Sequence, residues 1–357
     1  MNLSESTTND GAAAGGEGRA RRSIRLAPSP HLADALFTTR RMMIEVLIGL
    51  APALIMAIVV FRWYAVVQVA LCTVTCVATE SVAAWMRGRR SPVGDYSAAV
   101  TGIILGLSLP WSAPWYVAVI GSVVAIGLGK AVFGGLGWNI FNPAMVGRAF
   151  VMLSFAKELG ASAYVLVDAQ LPILTRATPL TIAKKFAADL SAGRVMAGEL
   201  RVPPMHSAQD IWALLIGQVN GSLGETSALA LALGGFYLCV RRVVSWEIPL
   251  GIFATAFVFV ELSHWTQLTP FTPLQHLVSG SLVFGAFFIA TDPVTSPLTP
   301  LGKFLFGVGI GVLVVVIRVF SGYPEGVMFA VLLMNATVPL LNRWTIPRPF
   351  GATNPEP

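Results

Sequence analysis

Apolar runs separated by short polar connectors follow one another from about residue 42 to about residue 341. A helix that crosses the hydrocarbon core of a bilayer needs roughly 20 consecutive apolar residues. The first two runs, about Met42 to Phe61 and about Tyr64 to Met86, meet that length. The third, about Ser97 to Pro110, is too short for a straight crossing, and about Trp115 to Phe133 returns after it. Gly134, Gly135, Gly137, Asn139, Asn142 and Pro143 then interrupt an apolar context. Backbone freed by such residues is tolerated at membrane depth only where it packs in protein or lines a cavity. The spacing predicts a broken helix that restarts at Asn142 and Pro143 and runs to about Ser154.

Past a long polar stretch the pattern resumes with a short amphipathic piece, Ala208 to Gln218. Apolar runs follow at about Glu225 to Val240, Trp246 to Leu262, Leu274 to Ile289, Lys303 to Phe320 and Glu325 to Leu341, with a second Pro-rich break over Ala290 to Pro297. The reading is an all-α polytopic membrane protein of about ten transmembrane helices with two broken-helix segments. Breaks at corresponding places in two halves predict an inverted repeat, with a binding site where they meet.

Basic residues order the runs across the membrane. Arg40 and Arg41 precede the first run, Arg87, Arg89 and Arg90 follow the second, Arg241 and Arg242 close another, and Arg343 and Arg348 follow the last. Positively charged connectors stay on the cytoplasmic side, so both termini are expected there, in a bacterial inner membrane. The division is residues 1–24, a disordered cytoplasmic tail; 25–156, a first membrane block; 157–208, an outer, periplasmic loop; 209–345, a second membrane block; and 346–357, a cytoplasmic tail. The tail before Met42 has no signal-peptide pattern, since the first apolar run is too long for one.

Composition agrees. The 357 residues are 55% hydrophobic and 12% charged, against roughly 25% charged in soluble domains. The net charge of +6 is read through its position along the chain, and nucleic acid is not needed as a partner. Cys72, Cys76 and Cys239 lie in apolar runs and the four histidines are scattered, so no metal site and no hydrolytic chemistry is expected.

Ionisable residues close to apolar runs are ion-path or ligand candidates. Asp292, Asp95, Glu80 and Glu325 carry that reading beside a plainer one, helix cap or interfacial charge. Arg148 and Arg318 need an anionic or carbonyl partner, and Arg318 has the alternative of reaching the interface. Asn139 and Asn142 would face the same way if the turn between them is helical. Their amides then suit a neutral heterocycle such as a flavin or a quinone; equally, they satisfy freed backbone. In the polar stretch, Thr175-Arg176-Ala177-Thr178 offers hydroxyls to which a group could be attached, though such a tetrapeptide is common by chance.

Several stretches, taken in order, resemble a known family: Arg25 to His31, Asp95 to Gly102, Phe133 to Pro143, Leu223 to Leu229, Phe284 to Pro297 and Gly322 to Gly326. They are similar to RnfD, a membrane component of Rnf electron-transport complexes, and its NqrB counterpart in the sodium-pumping NADH:quinone reductase shares most of them. The Ser-Pro-His entry, the Thr-Ser-Pro after Asp-Pro and the short amino-terminal tail favour Rnf. The resemblance implies an ion-translocating ferredoxin:NAD oxidoreductase complex, with this chain as a membrane component that is not catalytic alone. It implies FMN joined by a phosphoester to Thr178 by a separate flavin transferase, with Thr175 and Ala177 matching the family's motif. Arg176 replaces the usual glycine, which is used where a backbone must approach another molecule closely. The resemblance further implies a non-covalent riboflavin near Asn139 and Asn142, and ion movement at Asp292. Ala131 and Asn342 depart from acids found in the sodium pump. The rival readings are the quinone reductase component and, from another class, a channel or secondary transporter without flavin.

Overall fold

The computed structural model describes residues 38–88, 92–159, 208–217, 221–265, 272–321, 323 and 325–347. Thr175 to Thr178, most of the 157–208 loop and both predicted tails, apart from Ile346 and Pro347, lie outside the described residues. Regular structure among them is helical, apart from one bridge between Pro110 and Ser222.

The first two runs form the helices α1 (Thr39–Phe61) and α2 (Trp63–Met86), turning at Arg62, whose φ of 51° makes the tight corner. The third run is the short helix α3 (Ser97–Ser108). It stops before Pro110 because a proline disfavours helix in the residue ahead of it. Helix α4 (Trp115–Ile126) continues through a π-helical turn at Gly127–Ala131. Pro143 then opens α5 (Pro143–Ser154) from the first-turn position, where its missing N–H costs nothing.

The second half begins with α6 (Ala208–Ile216) and α7 (Ala228–Val240), followed by α8 (Glu247–Trp265). The run expected to cross from Leu274 to Ile289 is broken. Helix α9 (Pro273–Val278) ends, the chain turns through Ser279, Gly280 and Ser281, and α10 (Leu282–Phe284) passes into a second π turn, Gly285–Ile289. Gly280 has φ of 70°, which an L side chain at that corner would strain. The missed break has a local cause: Ser-Gly-Ser is too short to interrupt an apolar average. After the Pro-rich break come α11 (Pro300–Phe320) and α12 (Val327–Thr345).

Helices α1, α2, α11 and α12 are each long and apolar enough to cross a membrane, and α3, α5 and α7 are shorter apolar helices. The chain is a multi-pass membrane protein. Its packing follows an ordered pattern: α2 lies against α3 and α4, and α4 against α5, while α8 lies against α9 and α11, and α11 against α12. The halves meet where α1 packs on α7 and α5 on α12. Small residues allow the closest of these approaches, as is usual between helices in lipid. A Cβ on Gly234 of α7 would overlap the Gly49 carbonyl oxygen of α1, and one on Gly307 of α11 would overlap the Ile248 carbonyl oxygen of α8. Arg241 and Tyr237 both bind Glu45, which ties the end of α7 to the start of α1.

Candidate functional site

Polar side chains gather at two places along the seam between the halves. Asn335 of α12 binds the Thr295 carbonyl beside Asp292, and the helix from Val327 to Asn335, at about 1.5 Å per residue, puts the cluster around Glu325 roughly 12–15 Å away along the bundle.

At the Asp292 end, the π turn of α4 aims Lys130 inward. Its backbone makes the wide-turn bond from Val132 N–H to the Gly127 carbonyl, 3.0 Å, a geometry that recurs at functional sites. Lys130 is 2% exposed. It is ion-paired with Glu80 of α2 and donates to Ser97 Oγ at 2.5 Å. Asp95 Oδ1 in turn accepts from Ser97 N–H, 2.8 Å, and Ser97 Oγ, 2.5 Å. That satisfies a free N–H in the first turn of α3, so Asp95 holds a helix end.

Asn142 is the N-cap of α5, its Oδ1 accepting from Ala144 N–H at 3.0 Å and Met145 N–H at 3.4 Å. Its Nδ2 donates to the Ile289 carbonyl, 3.0 Å, and its own N–H to Asn335 Oδ1, 3.3 Å. Asn335 Nδ2 then donates to the Thr295 carbonyl, 2.9 Å. These bonds stitch the break of the first half to that of the second. Residues 139–142 are not helical, so the helical turn expected to align the two asparagines is replaced by a bend at Ile140 and Phe141 that leads into the extended cap residue Asn142. Asn139 donates to the Phe141 carbonyl, 3.2 Å, and its buried Oδ1 has no hydrogen-bond partner among the described residues.

Asp292 does not cap the next helix, which is what the sequence suggested. It accepts from Val294 N–H, 3.3 Å, and Thr295 Oγ1, 3.1 Å, within the turn, and Thr299 caps α11 instead, accepting from Gly302 N–H at 3.0 Å. Asn342 Oδ1 accepts from Leu298 N–H, 3.0 Å, fastening the same loop to α12.

These groups surround a cavity of about 70 Å³ whose polar wall includes Ser97, Thr101, Lys130, Asn139, Thr291 and Asp292. Its apolar walls come from Met42, Met43, Phe287 and Phe288 among others. A second chamber of about 260 Å³, lined by Glu80, Arg87, Gly134 and Gly135, shares Lys130 and Leu136 with it. Leu136 stands between Gly135, φ 113°, and Gly137, φ 91°.

At the Glu325 end, Arg148 of α5 reaches two carboxylates, Glu225 at 3.7 Å and Glu325 at 3.6 Å. Glu325 accepts from Ser281 N–H, 3.0 Å, and Ser281 Oγ, 2.6 Å. Arg318 is 6% exposed and does not extend to an interface. It donates to the carbonyls of His276, 2.6 Å, and Ser279, 3.1 Å, at the end of α9. Glu225, Lys130 and Asn335 are among the site residues that sequence reasoning passed over. Glu225 carried a signal, the Ser222-Leu-Gly-Glu225 capping-box pattern. Lys130 carried one too, a lysine closing an apolar run that has a lone acid, Glu80, on a neighbouring run.

The model of the NQR2, RnfD, RnfE family matches residues 25–351. The chain belongs to that family. Among curated relatives, it is 40% identical over 332 residues to the RnfD-type component of the Na(+)-translocating ferredoxin:NAD(+) oxidoreductase complex of Acetobacterium woodii, covering 93% of this chain and 96% of the relative. It is also 40% identical to the corresponding component of the ion-translocating oxidoreductase complex of Halorhodospira halophila, covering 92% and 96%. A Clostridium ljungdahlii relative, 36% identical over 91% of this chain and 96% of its own length, is named for a proton-translocating ferredoxin:NAD(+) oxidoreductase complex. Relatives at similar identity thus carry different ions in their names.

Proposed function

We propose that this chain is the flavin-carrying membrane component of an Rnf-type ion-translocating electron-transport complex, of the ferredoxin:NAD oxidoreductase kind. Membership of the family over residues 25–351 is the observation that carries the reading. The names of the Acetobacterium woodii and Halorhodospira halophila relatives favour it over the quinone reductase component. Its setting is the bacterial inner membrane, with about ten crossings, cytoplasmic termini and the 157–208 loop outside. The repeated packing order of the two halves supports an inverted repeat. Its partners are the other proteins of the complex, the lipid bilayer and a flavin transferase.

FMN is carried on Thr178, beside Thr175, Arg176 and Ala177, where the guanidinium is suited to help hold a phosphate. The Asp292-end cavity fits a second, non-covalent flavin such as riboflavin by its donor set. The unmet Asn139 Oδ1, the hydroxyls of Ser97, Thr101 and Thr291, and the Lys130 ammonium offer donors and acceptors against apolar faces. About 70 Å³ is room for a few waters, so a tricyclic ring requires Leu136 to swing aside on its flanking glycines. Bound flavin supplies the redox chemistry, and the protein supplies position and environment. Asn142 serves as cap and stitch and so shapes the cavity, while Asn139 and Lys130 face the ligand. Of the ion-path candidates, Asp292 lines the cavity, Glu325 belongs to the charged cluster around Arg148, and Asp95 acts as a helix fastener.

The test is flavin fluorescence of the denatured protein after co-expression with a flavin transferase, with mass spectrometry of the peptide containing Thr178. The wild type is expected to keep a flavin phosphate through denaturation and Thr178→Val to lose it. A wild-type peptide of unmodified mass from the assembled complex overturns the covalent part. A channel or transporter would show no flavin in either protein.

A further inference from the structure

The charges at the Glu325 end are poorly explained as glue. The side chains of Arg148, Glu225 and Glu325 are 11%, 5% and 17% exposed, so all three have given up most of their hydration. Yet Arg148 Nη2 stands 3.7 Å and 3.6 Å from the carboxylates, beyond the range of a good charged hydrogen bond. Glu225 Oε1 is buried with no hydrogen-bond donor among the described residues. A buried ion pair offsets its desolvation only where its geometry is close and its remaining lone pairs are satisfied. Neither condition holds here.

The placement of the three residues suggests another use. Arg148 belongs to α5 in the first half, whereas Glu225 precedes α7 and Glu325 precedes α12 in the second half. One guanidinium therefore spans the seam between halves. This contact is looser than the bond between Asn142 and Asn335 across the same seam, so a movement of α5 away from the second half meets less resistance at it. That bond and its neighbours lie at the start of α5, roughly 9 Å along its axis from Arg148, next to the polar cavity at Asp292.

We propose that Arg148 is the gating residue of the ion route at the Glu325 end: its bridge to Glu225 and Glu325 closes that end while the cavity at Asp292 stays accessible from the opposite face. The bridge opens when a small monovalent cation, sodium or a proton, replaces Arg148 as the counter-charge of one carboxylate. With sodium the exchange is purely ionic; with a proton, one O–H bond forms on the carboxylate as one breaks in a hydronium ion of the water at that end, and the guanidinium keeps its charge in both cases. The inference rests on the ion-translocating part of the proposed function and is independent of where flavin binds.

Accessibility of a thiol behind the bridge tests it. Ser279, 1% exposed, lies next to the cluster through its carbonyl bond to Arg318. The assembled complex carrying Ser279→Cys and Cys239→Ala is placed in sealed vesicles of each orientation and treated with a membrane-impermeant maleimide. Cys72 and Cys76 are fully buried and serve as the internal background. With Arg148 intact, labelling is expected to be slow from both faces. Adding Arg148→Gln should raise the rate on the order of tenfold, the equivalent of roughly 1.4 kcal/mol of closure, from one face only, and Arg148→Lys should restore slow labelling. An unchanged rate, or an equal rise from both faces, overturns the proposal. If Arg148→Gln does not assemble, Glu325→Gln removes one arm of the same bridge and is read in the same way. Failure of both to assemble assigns the bridge to folding and also overturns it. Ion uptake by the same vesicles separates this result from the parent reading: changed labelling in vesicles that move no ion leaves the gate standing and removes the translocation role.

Discussion

At the Asp292 end of the bundle, Lys130 is ion-paired with Glu80 and hydrogen-bonded to Ser97; at the Glu325 end, Arg148 is shared between two carboxylates and is within hydrogen-bonding distance of neither. The first arrangement joins α2, α3 and α4 inside one half of the molecule, whereas the second joins one half to the other. Between the halves the pairing is tight where Glu45 of α1 binds Arg241 and Tyr237 of α7 and loose at Arg148, so the Glu325 end is the part of the seam at which one half meets least resistance to moving against the other. Rigid-body motion of paired repeats is how alternating access is generally achieved. The comparison also separates roles that residue type alone does not: a buried cation fixes a helix end in one place and marks a movable seam in the other.

The largest effect expected from disturbing this contrast is at Lys130. Lys130→Met leaves Glu80 buried without its counter-charge, which costs roughly 3–5 kcal/mol when a buried pair is broken from one side. Thermal aggregation of the detergent-solubilised complex should begin well below the wild-type temperature. Adding Glu80→Gln to the same chain should recover much of the loss, since replacing both members of a buried pair is often close to neutral. If Lys130→Met proves no more harmful than Arg148→Gln, the distinction between a tight and a loose end fails.

Next in size is the stitch between the breaks. Asn142→Ala removes the cap of α5 and the bond to the Ile289 carbonyl together, for about 1–3 kcal/mol once the orphaned buried groups are counted. Asn142→Asp keeps an acceptor for the cap and loses only the donor. A proteolysis or thermal-shift series is expected to rank wild type above Asn142→Asp and Asn142→Asp above Asn142→Ala. Equal losses for both variants would mean that the bond across to Ile289, and not the cap, carries the stability. The corresponding position before α12 is Glu325, whose carboxylate binds Ser281 within its own half. Its neutral amide variant should therefore be tolerated better than Asn142→Ala.

The sequence showed these features unevenly, for physical reasons. Length and apolar character are properties of whole runs, so α1, α2, α11 and α12 could be read from the chain within a few residues of their ends. The break at Asn142 was also legible, because a proline at the first helical position after an asparagine is a local code. The break at Ser279–Ser281 was hidden, since three small residues barely change the average of the run around them. Side-chain partners were hardest to see. Nothing in the runs themselves puts Lys130 beside Glu80 or Arg148 beside Glu225, because those meetings depend on how α4 crosses α2 and how α5 meets the second half. The cap reading of Asp292 failed for a related reason: four good capping types, Asp292, Thr295, Ser296 and Thr299, compete within eight residues, and only the start of α11 at Pro300 decides that Thr299 has the role.

Two aspartates, one in each half, give the finest test of the contrast between fastening and function. Asp95 binds Ser97 through its acceptor oxygen and sits at the start of α3, whereas Asp292 lines the cavity beside Lys130 and Asn139. An asparagine keeps the acceptor and drops the charge. Asp95→Asn should therefore leave both stability and ion translocation near wild type, while Asp95→Ala costs about 1 kcal/mol through the lost acceptor. Asp292→Asn should also preserve the turn at Val294 and Thr295, but it removes the carboxylate that faces the cavity. Its expected signature is a stable, assembled complex whose ion uptake falls while the amide variant at Asp95 remains active. If Asp95→Asn slows ion uptake as much as Asp292→Asn does, the charge at Asp95 belongs to the route as well, and the start of α3 must be counted as part of the ion path as well as its support.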